Sequence, residues 1–302
     1  MDVSPWAYVV LGVALIACLA VDLLLLERHG KGSMRTAGIA TVVWTLIGLA
    51  VTLPVALVDG GSAGAHYVTI YLLERALSLD NVAVFAIVLA ALKVPIPKRE
   101  NLVVIGVGLA LVLRILLIGG GLALVDALHA TLYFFGALLV LTGLNTIRSG
   151  LPKEGESHDE GGLMIRIAQK LGRGSIVVVP LLALAVADVV FAVDSIPAAF
   201  GITRDVFPIV AANGFSVLGL HAAYVLLEGG MARFRHLDTG LGVVLVLIGV
   251  ELLTEDVIHL PSWLTLVLVV AVLGASIALS MRPEKPGPPT ADPKVDEAAT
   301  NR

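Results

Sequence analysis

The sequence is dominated by apolar runs of about 20 residues, the length that an α-helix needs to cross a lipid bilayer. The runs show no alternation of apolar and polar residues, which strands of a membrane β-barrel would require. Because backbone groups in lipid must be hydrogen-bonded internally, we predict an all-α, polytopic membrane helix bundle. The nine predicted transmembrane spans are 5–26, 37–58, 65–92, 102–122, 124–147, 175–201, 206–228, 238–256 and 262–281.

The composition agrees with a chain embedded in lipid. Hydrophobic residues make up 58% of the 302 residues and charged residues only 15%, and the mean hydropathy is +0.96. These values lie far from those of a soluble domain. We therefore expect the lipid bilayer as a partner and no nucleic acid, and the sequence indicates no oligomeric state.

Positive charges indicate the orientation, because Lys and Arg collect in cytoplasmic loops. Seventeen of the 20 Lys and Arg residues fall on one predicted side, in segments 28–35, 93–99, 148–173, 233–235 and 282–302. This places the N-terminus outside and the C-terminus in the cytoplasm. We predict one transmembrane domain, residues 1–281, with a polar cytoplasmic loop at 149–174. Residues 282–302 are rich in Pro and charge and are predicted to form a disordered tail.

Two spans share an acidic pattern that is costly in lipid. In the third span, Glu74 is followed six residues later by Asp80, next to Asn81. In the sixth span, Asp188 is followed six residues later by Asp194, next to Ser195. The two spans cross the membrane in opposite directions, as the halves of an inverted-repeat transporter do. We therefore predict an inverted-repeat core built around these residues.

Depth along the helices predicts which groups meet. At about 1.5 Å per residue, Asp80 and Asp188 are expected near the midplane, and Glu74 and Asp194 in the outer half. Antiparallel packing would then match the acids level for level. Pro197 is expected to kink or unwind the sixth span and to free carbonyl oxygens as ligands.

The cost of these acids needs an explanation. Four carboxylates oppose insertion by on the order of 10 kcal/mol, so they must be paired, protonated or bound to a ligand. Ion pairing is the structural explanation, but Arg75 and Arg114, the only basic residues inside spans, cannot neutralise four acids. A proton relay is the second explanation and is compatible with the third.

The third explanation is a cation site. Carboxylate, amide and hydroxyl oxygens suit Mg²⁺, Ca²⁺ or Mn²⁺. The seventh span adds Asn213 and the deeper His221, whose imidazole Mn²⁺ also accepts. The single cysteine, Cys18, excludes a cysteine-based metal site and an intramolecular disulfide. The predicted metal ligands are Glu74, Asp80, Asn81, Asp188, Asp194, Ser195 and Asn213.

At these residues the chain resembles the TerC family of integral membrane proteins, named for tellurium resistance. The resemblance rests on SLDNVAVF with the preceding Glu74, and on ADVVFAVDSIPAAFGIT with the later Asn213. It extends from about Asp22 to about residue 256 through VPIPKREN, YFFGALLVLTGLNTIR and FSVLGLHAAYVLL.

The resemblance implies a multi-pass protein of the bacterial plasma membrane, related to the LysE-type exporters, in a family with members that export Mn²⁺. His221 stands where the family pattern leads us to expect an arginine, and Glu251 stands where a lysine is usual. These two residues, with Arg114, are candidates for coupling or selectivity. Glu251 has a plainer interpretation, in which it pairs with Arg204 or faces the outer surface.

We therefore predict a transporter that exports a divalent cation, Mn²⁺ first, by exchange for protons, with no permanently bound cofactor. The alternative is a non-transporting membrane scaffold or stress protein whose buried acids are structural. An intramembrane protease is disfavoured: Ser195 and His221 lack an activated-serine context, and Asp80 with Asp188 lacks any supporting aspartyl-protease motif. We expect no catalytic residues.

Overall fold

The computed structural model describes residues 3–29, 34–127, 130–149, 177–228, 236–254 and 260–280. Every regular element in these ranges is a helix, which confirms the all-α prediction. The predicted loop beyond Ser149 and the tail at 282–302 lie outside them. The helices are α1 (Pro5–His29), α2 (Met34–Ala50), α3 (Thr52–Asp59), α4 (Gly61–Ala91), α5 (Ile96–Ala127), α6 (Ala130–Ser149), α7 (Val178–Ile202), α8 (Val206–Ser216), α9 (Leu220–Glu228), α10 (Leu237–Leu253) and α11 (Ser262–Ser280).

These helices account for all nine predicted spans. Seven helical segments in the described ranges are long and apolar enough to cross a membrane, with α2 and α3 forming one segment and α8 and α9 another. The remaining two predicted spans correspond to α4 and α10. Helix α4 has 31 residues, about 46 Å at 1.5 Å per residue, but carries charged side chains. Helix α10 is apolar, but its 17 residues make it slightly shorter than the seven spanning segments. The chain is therefore a polytopic helical membrane protein.

Proline explains one interruption but not the expected one. Helix α2 ends at Ala50 and α3 begins at Thr52, because Pro54 has no N–H to bond the carbonyl of Ala50. In α7, by contrast, the helix continues through Pro197 to Ile202. The sixth span is therefore not unwound at Pro197, whereas a kink at this residue stays a prediction. The buried side chains that surround Pro197 hold the helix together despite the missing hydrogen bond.

Helices α4 and α7 lie side by side in opposite directions. The first half of α4, with Tyr67 and Leu73, shares a large apolar cluster with the second half of α7, including Phe200. The second half of α4, with Phe85, shares a small apolar cluster with the first half of α7, including Leu184. The antiparallel arrangement predicted for these two spans is therefore the arrangement in the fold.

The backbones of helices α6 and α10 lie in direct contact at two pairs of glycines. A Cβ atom on Gly143 would lie 2.6 Å from the carbonyl oxygen of Gly242, and one on Gly249 would lie 2.8 Å from that of Gly136. The stretches are GALLVLTG and GVVLVLIG, each with two glycines seven residues apart. Because the first glycine of each helix meets the second of the other, a local two-fold rotation relates the pair. Small residues permit this close approach.

The span that follows α7 is broken in its middle. Helix α8 ends at Ser216 and α9 begins at Leu220, and Gly219 between them has φ +73°. This left-handed conformation favours glycine. A Cβ atom at this position would also lie 2.8 Å from Cδ1 of Trp44. We call residues Val217–Gly219 the break.

Candidate functional site

Arg114 of α5 is the centre of a buried polar cluster formed by four helices. Its Nη1 donates to Oε2 of Glu74 on α4 and to Oδ1 of Asn213 on α8, the latter at 3.3 Å. Its Nε and Nη2 donate to Oδ1 of Asp188 on α7, at 3.3 and 3.4 Å. All four residues are at most 2% exposed. We call these four residues the Arg114 cluster.

The Arg114 cluster lies where the two apolar clusters meet. On α5, Val107 belongs to the small cluster and Ile118 to the large one, with Arg114 between them. On α7, Asp188 lies between Ala187 of the small cluster and Ala192 of the large cluster. On α4 and α8, Glu74 and Asn213 lie among members of the large cluster, next to Leu73 and Ala212. The charged groups are therefore sealed by apolar side chains on both sides.

The charges in the Arg114 cluster do not balance. One guanidinium faces two carboxylates, which gives a net charge of −1 when both acids are ionised. Each acid uses one oxygen for Arg114, and within the described part of the chain Oε1 of Glu74 and Oδ2 of Asp188 have no hydrogen-bond partner. A buried acceptor without a partner costs about 1–3 kcal/mol. These two oxygens are therefore available to a proton or a cation.

The levels of the acids differ from the sequence-based estimate. Glu74 and Asp188 bind the same guanidinium, whereas depth had matched Asp188 with Asp80 and Glu74 with Asp194. The reason is the helix ends: α4 begins at Gly61 and α7 at Val178, so the helix middles are residues 76 and 190. Glu74 and Asp188 each lie two residues before the middle of their helices.

Asp80 and Asp194, the second acid of each pair, lie in helix segments on opposite sides of the Arg114 cluster. Asp194 is half-buried on α7, and it is not among the described side chains to which Arg114 donates. Asp80 and Asn81 lie in α4, but their side chains are outside the described part of the structure. Since α4 and α7 run in opposite directions, the α4 backbone at Asp80 and the α7 backbone at Asp194 flank the Arg114 cluster on opposite sides.

Ser195 shares a helix face with Asp188, because residues seven apart nearly eclipse on an α-helix. It is 1% exposed, and its Oγ finds no hydrogen-bond partner among the groups that the structure describes. Asn213 is fixed by its amide, which donates to the carbonyl of Ile209 at 3.1 Å. This leaves Oδ1 of Asn213 facing Arg114.

His221 and Glu251, the other candidates for coupling or selectivity, are not among the described side chains to which Arg114 donates. His221 is half-buried in the first turn of α9, and its Nε2 has no hydrogen-bond partner in the described ranges. Glu251 accepts hydrogen bonds from Oγ1 of Thr265 on α11, at 3.1 and 3.2 Å. Glu251 therefore lies at the contact between α10 and α11.

Arg75 forms a second buried hydrogen-bond network, which the sequence did not predict. Arg75 does not pair with Glu74, its neighbour in sequence. Its Nη1 donates to the carbonyl oxygens of Ser216 and Leu218, at 2.9 and 2.6 Å. Successive helical residues point about 100° apart, so Glu74 and Arg75 serve different networks. The only sequence signals are a charged residue in a span and a glycine in FSVLGLH.

The described residues contain no group of three or more His, Cys, Asp and Glu side chains placed to hold a metal ion. The Arg114 cluster offers two carboxylates and one amide oxygen, and Ser195 carries a hydroxyl on the same face of α7 as Asp188. This chemistry fits a hard divalent cation, but Arg114 holds the two carboxylates in this conformation.

Comparison with known proteins gives a consistent family. A model of the integral membrane protein TerC family matches residues 59–285. An uncharacterised membrane protein of Myxococcus xanthus is 30% identical, over 93% of this chain and 94% of that protein. Alx, named as a candidate membrane-bound redox modulator, is 32% identical in Salmonella typhi, over 89% of this chain and 91% of that protein. The Escherichia coli K12 protein of the same name is 33% identical, over 86% of this chain and 89% of that protein.

No solved structure matches the chain. The family match covers most of the chain, including all four residues of the Arg114 cluster. The chain belongs to the TerC family of integral membrane proteins.

Proposed function

We propose that this protein is a transporter that exports a divalent metal cation, with Mn²⁺ as the first candidate, in exchange for protons. The observation that carries the proposal is the convergence of Glu74 and Asp188 between two apolar seals, each with one buried oxygen that lacks a described partner. Asn213 and Ser195 would add neutral oxygens to the shell. Mn²⁺ accepts such a set, and a softer metal would need thiolates.

In this proposal the Arg114 guanidinium neutralises the carboxylates whenever no metal is bound. Two buried carboxylates need a positive charge when no metal is bound, and the guanidinium supplies it. An arriving metal displaces the guanidinium from Glu74 and Asp188, and the guanidinium returns when the metal leaves. The acids are therefore compensated in the loaded and in the empty state.

The position of the flanking acids supports passage through the bundle. Asp80 and Asp194 each lie six residues beyond a central acid, about 9 Å along the helix, on opposite sides of the Arg114 cluster. Carboxylates must lose their protons to bind a metal, so protons that enter from one side can release the ion there. Alternating access follows from the rocking of one inverted half against the other. The proposal places the protein in a bacterial plasma membrane with its N-terminus outside.

The test is manganese content and tolerance in cells that lack their own exporter. Wild type is expected to lower cell manganese and restore growth, whereas Glu74→Gln and Asp188→Asn are expected to fail because each removes a central ligand. Asp205→Asn is the matched control, since it removes an exposed acid at the start of α8. Equal amounts of each variant in the membrane are confirmed by immunoblot. Full restoration of growth by both central variants would refute the proposal.

The ion pairs of Arg114 favour one alternative, a membrane scaffold or stress protein in which the acids are structural. In that case a variant with Glu74→Gln, Arg114→Gln and Asp188→Asn together would fold and function normally, because it removes all three charges at once. The transport proposal predicts a folded protein that moves no metal. Thiol chemistry is not part of either proposal, since Cys18 is the single cysteine.

A further inference from the structure

We propose that Arg75 is a positioning residue that latches the break at Val217–Gly219, and that the break is the hinge of the apolar seal on one side of the Arg114 cluster. The latch is a property of the fold and stands without the transport proposal. Its link to ion passage rests on that proposal.

Carbonyl groups freed in the break explain the need for a latch. Leu220 N–H bonds the carbonyl of Val217 rather than that of Ser216, and the α9 ladder resumes with Ala223 N–H on Gly219. The carbonyls of Ser216 and Leu218 therefore lose their helical donors. Backbone groups at membrane depth must be satisfied within the protein, and the Arg75 guanidinium does this for both carbonyls.

A second contact holds the break from another helix. The N–H of Gly219 donates to Oδ2 of Asp22 on α1, at 3.2 Å. The break is thus held by a cation on α4 through its carbonyls and by an anion on α1 through its amide. Arg75 is 6% exposed, so water does not replace these contacts at low cost.

The latch is connected to the Arg114 cluster by a short hydrogen-bonded path. Arg75 binds the Ser216 carbonyl, the Ser216 hydroxyl donates to the Asn213 carbonyl at 2.9 Å, and the Asn213 side chain accepts from Arg114. A shift in the break therefore changes the support of Asn213.

The break also lies at the border between the two apolar clusters. Phe215 and Leu218 belong to the large cluster, whereas Val217, Leu220 and Tyr224 belong to the small one. Rotation of α9 about the break would carry Leu220 and Tyr224 away from the small cluster while α8 stays in place. This motion would open the Arg114 cluster toward the side of the bundle where α4 ends.

The test is hydrogen–deuterium exchange of peptides that cover residues 214–224 in the purified full-length protein. Arg75→Gln is expected to speed exchange at the break by at least about tenfold, because hydrogen bonds from a charged donor are the strong ones. Arg75→Lys keeps the positive charge but loses the planar guanidinium, so its exchange rate is expected to lie between those of wild type and Arg75→Gln. Ser78→Ala is the matched control, one turn along α4 and buried, and should exchange within about twofold of wild type, as expected for a site outside the latch.

Asp22→Ala removes the carboxylate that accepts from the Gly219 N–H and is expected to speed exchange in the same peptides. This variant keeps the proposal testable if Arg75→Gln does not fold. Wild-type exchange rates in both Asp22→Ala and Arg75→Lys would overturn it, as would wild-type exchange in Arg75→Gln. Added MnCl₂ separates the two proposals. Slower exchange in wild type with Mn²⁺ supports the coupling. If Arg75→Gln speeds exchange but Mn²⁺ leaves the wild-type exchange rate unchanged, the latch proposal is supported and the assignment of the metal to this site is rejected.

Discussion

Replacing Arg114 with Gln is expected to increase the affinity of the protein for Mn²⁺ by at least about tenfold. In the wild type, a metal that binds Glu74 and Asp188 must first displace the guanidinium from both carboxylates and from Asn213. The glutamine variant leaves the two acids without this competitor.

The magnitude follows from the burial of the ion pairs. Removing one partner of a buried ion pair costs about 3–5 kcal/mol, which is the scale of what the metal must overcome. If the displaced Arg114 recovers about two thirds of this energy by binding elsewhere, about 1.4 kcal/mol remains, and that amount corresponds to a factor of ten.

The assay is thermal unfolding of the purified protein over a series of MnCl₂ concentrations, with MgCl₂ in parallel. A ligand at 100 times its Kd stabilises the folded state by about 2.7 kcal/mol, so the concentration that produces a given shift reports the Kd. Without metal, Arg114→Gln is expected to unfold at a lower temperature than wild type. Arg114→Lys is the matched variant, because it retains a positive charge and should bind Mn²⁺ nearly as weakly as wild type.

Two results would refute the reasoning. One is an equal Mn²⁺ shift in wild type and in Arg114→Gln, which would mean that the guanidinium does not compete with the metal. The other is an undiminished shift after Glu74→Gln and Asp188→Asn are added to Arg114→Gln, which would place the bound metal elsewhere.

Three other perturbations have defined outcomes. Gly143→Val is expected to destabilise the protein by about 1–3 kcal/mol or more through overpacking, whereas Gly108→Val, which meets nothing within 4 Å, should leave the unfolding temperature nearly unchanged. Gly219→Ala is expected to lower the free energy of unfolding by more than the about 1–2 kcal/mol that a left-handed backbone alone costs, because a Cβ at this position also meets Trp44. In everted membrane vesicles, Mn²⁺ uptake measured by a fluorescent indicator should stop when the pH gradient is collapsed and persist when only the membrane potential is removed; uptake that ignores the pH gradient would contradict proton exchange.

The sequence predicts the helices far better than it predicts their contacts. Runs of apolar residues locate every span, since lipid leaves the backbone no other option. The repeated acid spacing also finds α4 and α7 as an antiparallel pair. The break was missed because FSVLGLHAAYVLL is mostly apolar, as an uninterrupted span would be. The residue that binds its carbonyls, Arg75, lies 141 positions away from Ser216 in sequence.

The levels of the acids depended on helix ends that hydropathy does not fix. A shift of a few residues at the start of α4 and α7 exchanged the partners of Glu74 and Asp188. The central role of Arg114 likewise depends on tertiary structure. The sequence places two arginines and four acids of the repeated pattern inside spans, and only the meeting of four helices selects Arg114 and the two acids that it binds. The ligand roles of all seven predicted residues stay predictions: Glu74, Asp80, Asn81, Asp188, Asp194, Ser195 and Asn213.

The glycine contact between α6 and α10 has a mechanical consequence. Where the two main chains touch directly, no side chains lie between them that could change rotamer when the helices slide or tilt. The two helices are therefore expected to move as one rigid unit. A rearrangement that admits an ion is therefore expected to move other helices, such as α4, α7 and the broken span, relative to this rigid pair.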